Sequence, residues 1–326
     1  MKIFLRILIG FALLLIGLIC YIFITWNKKF DAPYPDIHAS SDSAIIARGK
    51  YLAYGPAHCA TCHMPIHKIM AVEEGLEIPL SGGWEIDIPP GVFRAPNLTP
   101  DQEIGIGKLT DGEIARTLRY SVGSDGRFIA PFMPLQELTD EDLTAIISFL
   151  RSQSPVRHEV KRSEIKFLGK ALMAFGMLEP RGPETPPMKS IKRDSTSQYG
   201  AYFAKNIADC IGCHTQVDLK SGKFTGPPYA GGFRFEPDAF SQGYSFISPN
   251  LTPDPETGII TGWNEDEFVM RFREGRLYKG SPMPWGAFSR IDDIDLKAVY
   301  KFLHGLKPVR NKIAKTVFPP GEKLPD

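Results

Sequence analysis

The stretch RGKYLAYGPAHCATCH at residues 48–63 decides the fold, because QYGAYFAKNIADCIGCH at residues 198–214 repeats it. The repeat continues along the chain in the same order, at separations of 150 to 153 residues. The corresponding stretches are APNLTPDQEIGIG (95–107) with SPNLTPDPETGII (248–260), and APFMPLQELTDEDLTAIISFLRSQSPV (130–156) with GSPMPWGAFSRIDDIDLKAVYKFLHGLKPV (280–309). The chain is therefore predicted to contain two copies of one unit of about 110–130 residues.

The charge balance and the cysteine positions exclude several classes of protein. The formal net charge of +1 gives no electrostatic reason for nucleic acid as the main partner. Five cysteines in 326 residues do not make a disulfide framework. Cys59 pairs with Cys62 and Cys210 with Cys213 in two C-x-x-C motifs, and Cys20 stands alone in an apolar run.

Each C-x-x-C is followed directly by a histidine, which is the attachment pattern of c-type haem. Two thiols on one helical turn can each form a thioether to a haem vinyl group, and the adjacent histidine then lies under the iron. A zinc site would need two further ligands in each unit, and the part after the apolar run has no other cysteine. The sequence predicts two haem c groups with iron, held by Cys59, Cys62 and His63 and by Cys210, Cys213 and His214.

A methionine follows each histidine at nearly the same distance and is predicted to be the sixth iron ligand. Met133 lies 70 residues after His63, and Met283 lies 69 residues after His214. Both precede a proline on a proline-rich loop before the last helix of the unit. A methionine in a loop ordinarily fills a gap in the core, but the repeated Met-Pro context favours ligation, which raises the potential of the iron.

Three further residues are candidates for contacts with the haem edge. Asn97 and Asn250 occupy the same position of the two PNLTPD segments and could bond the backbone or a haem propionate. A purely turn-forming role fits them equally well. Trp263 takes the place of Leu109. Its indole N–H could bind a propionate, and packing of its ring in the core is an equally good explanation.

The N-terminus carries a predicted membrane anchor. Ile7 to Trp26 is a run of 20 uncharged residues, and as a helix it would be about 30 Å long, the thickness of the hydrocarbon core of a bilayer. A cleaved signal peptide is the alternative, but its apolar core is shorter and no small-residue cleavage site follows. We therefore expect a retained helix.

The remaining pattern predicts the organisation of the chain. Gly49 and Gly200 each lie ten residues before the first cysteine of a unit, where they either allow a close helix crossing or are merely tolerated. SEIKFLGKALMAFGML (163–178) is predicted to be an amphipathic helix that covers the interface between the units. The expected divisions are a membrane anchor (1–30), an extended spacer (31–46), a first domain (47–160), a linker (161–196) and a second domain (197–326).

With these motifs in place, the chain resembles the cytochrome c subunits of bacterial membrane-bound dehydrogenases that oxidise alcohols, gluconate and similar substrates. The resemblance rests on C-x-x-C-H, a Gly-Gly pair, PNLTPDPETGI with Trp263, and Met-Pro before the last helix, and SEIKFLGKALM resembles their interdomain linker. It implies an all-α fold of two tandem class I cytochrome c domains. Many members carry three haem units and a C-terminal anchor, whereas this chain has two motifs and an N-terminal apolar run.

The resulting functional hypothesis is an electron-transfer protein that is not itself an enzyme. It would carry single electrons from a membrane dehydrogenase or a quinol-oxidising complex to an oxidase or another cytochrome. Because thioether attachment is completed outside the cytoplasm, the haem domains are expected on the periplasmic face of the inner membrane. The alternative is a dihaem redox enzyme, either a peroxidase or a thiosulfate-oxidising cytochrome. Two matched methionines argue against the peroxidase, and the lack of a spare cysteine argues against the sulfur enzyme.

Overall fold

The computed structural model describes residues 1–218, 222–237 and 241–325. The helices are α1 (Lys2–Thr25), α2 (Ser43–Tyr54), α3 (Cys59–Cys62), α4 (Ile69–Glu73), α5 (Asp111–Tyr120), α6 (Asp140–Ser152), α7 (Phe167–Ala174), α8 (Ser197–Tyr202), α9 (Cys210–Cys213), α10 (Glu265–Arg273), α11 (Trp285–Phe288) and α12 (Asp293–His304). A 3₁₀ turn lies at Ile66–Lys68, and a π-helical turn at Phe203–Ile207 follows α8. We call the part from α2 to residue 165 the first unit and the part from α8 to residue 318 the second unit.

Short strands accompany these helices. They are β1 (Glu85–Ile88), β2 (Gly91–Arg94), β3 (Glu164–Ile165), β4 (Val217–Asp218), β5 (Lys223–Phe224), β6 (Arg234–Phe235), β7 (Ser245–Ile247) and β8 (Val317–Phe318). Three antiparallel sheets result, with the strand orders β1-β2-β3, β4-β5 and β6-β7-β8.

The expectation of an all-α fold is wrong. Helices account for 37% of the chain, and the three small sheets belong to the architecture. Strands of two to four residues are too short to show a hydrophobic alternation, so the sequence pattern does not reveal them. Two of the sheets correspond to each other, since β3 and β8 close them at positions 153 residues apart.

Each unit is built around one close helix crossing. α2 packs along α6, and α8 packs along α12. A Cβ atom on Gly49 would lie 1.8 Å from the backbone oxygen of Ala145, and one on Gly200 would lie 2.0 Å from that of Ala298. Both glycines therefore serve the close crossing, and the alternative of a merely tolerated glycine is wrong.

Local sequence signals explain where three of the helices begin. Thr110 caps α5 in a capping box with Glu113, and the Thr139 side chain accepts a hydrogen bond from the backbone N–H of Asp142 at the start of α6. α12 begins at Asp293, as its acidic first turn predicts.

α1 and α7 lie beside each other. α1 has the length and apolar character to cross a membrane, as do some signal sequences and core helices, and only Ile22 of its residues is buried. α7 packs against the end of α1, so the expectation that it covers the interface between the units is wrong. The segment between α1 and α2 is extended, and it is tied to the first unit where Arg116 donates to the Tyr34 hydroxyl (2.6 Å) and Ala39 N–H donates to Asp111 (2.8 Å).

One apolar core runs through both units. The same cluster of buried side chains contains Leu52 and Leu143 of the first unit and Phe203 and Leu296 of the second. The units are therefore packed against each other and are not independent domains joined only by a linker.

Candidate functional site

The two C-x-x-C-H motifs lie in equivalent local structures. α3 and α9 are single helical turns, so both cysteines of a motif lie on one turn. The residue before each turn has a left-handed backbone, with φ of 38° at His58 and 48° at Asp209. Such a conformation is uncommon outside glycine and is typical of functional positions. The sequence gives a weak signal for it, because His and Asp tolerate this region better than most residues do.

Each histidine is oriented by a backbone carbonyl. His63 Nδ1 lies 2.9 Å from the Pro96 oxygen, and His214 Nδ1 lies 3.1 Å from the Pro249 oxygen. Since a carbonyl can only accept, Nδ1 carries the proton and Nε2 keeps its lone pair. Burial lowers the pKa of both imidazoles, which favours this neutral form. Both rings are thus prepared to ligate a metal through Nε2.

The Gly-Gly pairs bring the carbonyls to the histidines. Gly82 N–H donates to the His63 oxygen (3.1 Å), and Gly231 N–H donates to the His214 oxygen (2.8 Å). Both glycines have φ of 76°, and a Cβ on Gly82 would lie 2.5 Å from the backbone of Pro96. A side chain there would push the PNLTPD loop away from the histidine, which explains why the repeat has glycine at both places.

The thiols are protonated. Burial raises the pKa of Cys59, Cys210 and Cys213 to about 12 and that of Cys62 to about 11. Within the described residues, no group of three or more His, Cys, Asp or Glu side chains could hold a metal ion. Two free thiols on one turn beside a histidine with an available Nε2 fit a covalently attached haem.

Met133 and Met283 occupy equivalent places in the two units. Both side chains are half-buried and pack against the apolar core. Met133 lies shortly before α6, and Met283 lies shortly before the short helix α11. The Met283 carbonyl accepts a hydrogen bond from Trp285 N–H (2.8 Å). Their role as axial ligands stays a prediction.

The structure gives the two asparagines a role in the PNLTPD loops. The Asn97 amide donates to the oxygens of Val156 (2.8 Å) and His158 (3.2 Å), and its Oδ1 accepts from the N–H and the hydroxyl of Thr99. Asn250 is bonded in the same way, to Thr257, Val309 and Thr252. These bonds engage both the N–H groups and the oxygen of each side-chain amide. They fix the loops that carry the Pro96 and Pro249 carbonyls.

Trp263 packs within the second unit. Its ring is half-buried, with its centre 6.5 Å from that of Phe268, and its carbonyl accepts from the Tyr300 hydroxyl (2.7 Å). Core packing is therefore sufficient to explain the position of the Trp263 ring. Its contact with a haem edge stays a prediction.

The interface between the units contains a reciprocal exchange that the sequence analysis missed. The Tyr202 hydroxyl of the second unit donates to Asp142 of the first (2.7 Å) and accepts from Thr139 N–H (3.1 Å). At the equivalent positions, the Tyr51 hydroxyl of the first unit donates to Asp295 of the second and accepts from Asp292 N–H (3.1 Å). Each unit thus inserts one tyrosine into the start of the last helix of the other.

Both carboxylates of this exchange are buried and paired with arginine. Asp142 binds Arg48 Nε (2.9 Å), and Asp295 binds Arg193 through Nε (2.9 Å) and Nη2 (2.7 Å). Burial and the neighbouring carboxylate raise the pKa of both Tyr51 and Tyr202. The tyrosines therefore stay protonated as hydrogen-bond donors. The repeat itself was the available signal, because it places Tyr51 with Tyr202 and Asp142 with Asp295.

Comparisons with known proteins find similarity to cytochromes c. Residues 46–154 match the family model of cytochrome c. The chain is 28% identical, over 82% of its length, to the cytochrome c subunit of the quinone alcohol dehydrogenase of Gluconacetobacter polyoxogenes, of which the match covers 57%. It is 25% identical, over 82% of its length, to the gluconate 2-dehydrogenase cytochrome c subunit of Pantoea cypripedii, of which the match covers 60%.

A smaller relative has two haem groups by its name. The chain is 23% identical, over 63% of its length, to a dihaem c-type cytochrome of Cereibacter sphaeroides, of which the match covers 68%. The chain spans less than two thirds of the length of the two dehydrogenase subunits.

These relationships confirm the resemblance to cytochrome c subunits of quinone alcohol and gluconate dehydrogenases, at modest identity over most of the chain. Both dehydrogenase relatives are cytochrome c subunits, a class of protein whose haem carries out one-electron redox chemistry. Haem c is the cofactor that a cytochrome c domain implies.

Proposed function

We propose that the chain is a membrane-anchored dihaem cytochrome c. It carries electrons one at a time between a membrane dehydrogenase or quinol donor and a terminal acceptor, which is an oxidase or another cytochrome. The observation that carries this proposal is the duplicated site. His63 and His214, each beside two free thiols on one turn, have the same hydrogen-bonded orientation in one packed body.

When bound, haem c supplies one-electron redox chemistry at each site. The residues of the chain hold and tune it. Each pair of thiols forms the covalent attachment, and each histidine offers Nε2 while its Nδ1 stays bonded to a carbonyl. Met133 and Met283 are proposed to offer the sulfur on the opposite side of each ring.

A second haem is proposed although the family model matches only the first unit. Its support is the local structure around Cys210 and Cys213, which repeats that of the first unit in the single turn, the left-handed residue before it and the carbonyl on the histidine. The packed interface supports electron exchange between the two haems, because it holds the units in one arrangement.

The location is also part of the proposal. α1 would hold the chain in the inner membrane, with both units on the periplasmic face, where haem attachment is completed. The relative that is the cytochrome c subunit of a quinone alcohol dehydrogenase supports a dehydrogenase as the donor, which we place in the same membrane. Confinement to one membrane raises the effective concentration of such a donor.

Haem counting tests the proposal. The wild-type chain should carry two covalent haems, and Cys210→Ala with Cys213→Ala should carry one that is resistant to extraction. Cys20→Ala is the matched control, since Cys20 lies in the apolar helix and should leave the count at two. One haem in the wild type, or two in the double variant, would contradict the proposal.

The axial methionines are tested by redox titration. Met283→His should lower the potential of the second haem and leave that of the first nearly unchanged, because a thioether sulfur favours ferrous iron. Met133→His should do the reverse. Met270→His is the control, since Met270 is an exposed residue of α10. Unchanged potentials in both ligand variants would exclude these methionines.

The relay itself is tested with the purified chain. Alone, it should not be reduced at catalytic rates by alcohols, sugar acids or aldehydes. It should be reduced rapidly once a membrane fraction with dehydrogenase activity is added. Rapid reduction by a substrate without any partner would instead indicate an enzyme.

A further inference from the structure

α7 and the turn after it expose an apolar surface directly beside α1. Gly169, Met173 and Ala174 face the protein and are buried. On the other side, Phe167, Leu168, Phe175 and Met177 are exposed by 47% to 63%. Four exposed large apolar side chains within eleven residues are unusual for a surface that faces water.

The contacts with α1 fix the level at which this surface lies. The ring of Phe167 lies 6.4 Å from that of Phe23, and the ring of Phe175 lies 5.7 Å from that of Tyr21. The Tyr21 hydroxyl also donates to the Ala174 oxygen at 3.5 Å. α7 therefore packs against the last turns of α1.

These last turns reach the headgroup region at one face of a bilayer. The uncharged run from Ile7 to Trp26 is about 30 Å long as a helix, which is the thickness of the hydrocarbon core, so Trp26 lies at one face of that core and Tyr21 and Phe23 lie within about two turns of it. Lys170 Nζ lies 4.9 Å from the ring centre of Trp26 and 5.1 Å from that of Phe23. Tryptophan and lysine together are typical of the membrane–water interface.

The attachment of α7 to the first unit is rigid. A Cβ on Gly169 would lie 2.1 Å from the Pro90 oxygen in the turn between β1 and β2, so the helix lies directly on that turn. Phe30 N–H, shortly after α1, donates to the Gly126 oxygen (2.8 Å), and Arg116 donates to the Phe30 oxygen (3.0 Å). α1, α7 and the first unit thus form one body.

We propose that the apolar surface of Phe167, Leu168, Phe175 and Met177 is a second membrane contact, which lies in the headgroup region of the bilayer beside α1. Its occupant is the lipid surface, because the surface continues the lipid-facing side of α1. Exposed Lys28 and Lys29 directly after α1 favour anionic lipids. The contact holds the first unit at one orientation on the membrane, so that it does not swing on a flexible tether. This inference rests on the proposed membrane anchor.

Lipid photocrosslinking of the full haem-containing chain tests the proposal. The chain is placed in nanodiscs that contain phosphatidylglycerol with a photoreactive group high on its acyl chain. Peptides of 166–178 should carry lipid adducts together with peptides of α1. Peptides with the equally exposed Met270 and Leu277 of the second unit should carry several-fold fewer.

A pair of charge variants provides the matched comparison. Leu168→Glu with Met177→Glu should reduce the adducts on 166–178 several-fold and leave those on α1 unchanged, because carboxylates are repelled by the anionic surface. Met270→Glu with Leu277→Glu should change neither, and the absorption spectrum of the haems checks folding in both variants. Adducts on α1 without adducts on 166–178 in the wild type would overturn the inference while the anchor stands. The absence of adducts on α1 would overturn the anchor itself.

Discussion

The first and second units bury the same carboxylate but neutralise it differently. Asp142 is paired with Arg48, which belongs to α2 of the same unit. The position equivalent to Arg48 in the second unit is Tyr199, and Asp295 is paired instead with Arg193 from the segment between the units. The second unit is therefore completed by a residue outside the repeat, and the connecting segment has a structural role beyond its length.

A second difference lies directly before the first cysteine of each motif. His58 and Asp209 share a left-handed backbone, but burial lowers the pKa of His58 and raises that of Asp209 to about 6. The shared feature is thus the backbone turn that presents the thiols. The chemistry of the side chain at this position differs between the units.

The largest expected effect is at the helix crossings. Gly49→Ala and Gly200→Ala should each destabilise the detergent-solubilised chain by about 3 kcal/mol or more, because the new methyl group overlaps a backbone oxygen that cannot move alone. Urea unfolding measures the change. Gly262→Ala is the control, since no atom lies within 4 Å of its added Cβ. Equal stability of all three variants would remove the close crossing as an organising contact.

The arginines test the difference between the units directly. Arg193→Ala should lower the free energy of unfolding by about 3–5 kcal/mol, because it leaves the fully buried Asp295 without the arginine that donates two hydrogen bonds to it. Arg48→Ala should cost less, since Arg48 makes one bond to Asp142. Arg157→Ala, at an exposed pair with Glu103, should change the free energy of unfolding by no more than about 1 kcal/mol. A larger loss of stability in Arg48→Ala than in Arg193→Ala would contradict this difference between the two units.

The reciprocal tyrosines should show smaller effects. Tyr51→Phe and Tyr202→Phe should each lower the free energy of unfolding by about 1–3 kcal/mol, since each leaves a backbone N–H without its hydroxyl acceptor. Tyr202→Phe also removes the donor to Asp142 Oδ2, whereas Asp295 Oδ2 keeps its bond to Arg193. Tyr202→Phe should cost more, because its bonds to Asp142 and Thr139 are fully buried. Tyr278→Phe, on an exposed ring, serves as the control in the same urea titrations. No loss in either variant would show that apolar packing alone holds the units together.

The smallest expected effect is a loss of stability at alkaline pH, which should arise in the first unit and not at the equivalent position of the second. Tyr54 donates to the Ile78 oxygen (2.6 Å), and burial raises its pKa to about 12, whereas the second unit has Lys205 at the equivalent position. Above the ordinary pKa of about 10, the unfolded chain loses this proton first, so the stability falls as the pH rises.

At pH 11 the ionisation of Tyr54 should lower the free energy of unfolding by about 1 kcal/mol relative to pH 8, and Tyr54→Phe should remove that part of the pH dependence. Unfolding by urea at both pH values measures it. An unchanged slope in Tyr54→Phe would show that the ring is not protected from ionisation.

The sequence by itself determined the features that depend on local patterns. The duplication, the two attachment motifs, the starts of α5, α6 and α12 and the apolar run of α1 all follow from residues that are close in the chain. Capping residues and motif spacing act over a few positions, so they can be read without knowledge of the packing. The repeat added long-range information, since it matched Met133 with Met283.

Only the tertiary structure decided the features that join distant positions. The two- to four-residue strands have no periodicity of their own and form where another strand is available, as β3 and β8 show. Asn97 reaches Val156, and Tyr51 reaches Asp295, 244 residues along the chain. α7 faces α1 and not the interface because its small residues fit closely on the turn at Pro90. Amphipathicity shows that a helix has an apolar face, but packing decides what that face contacts.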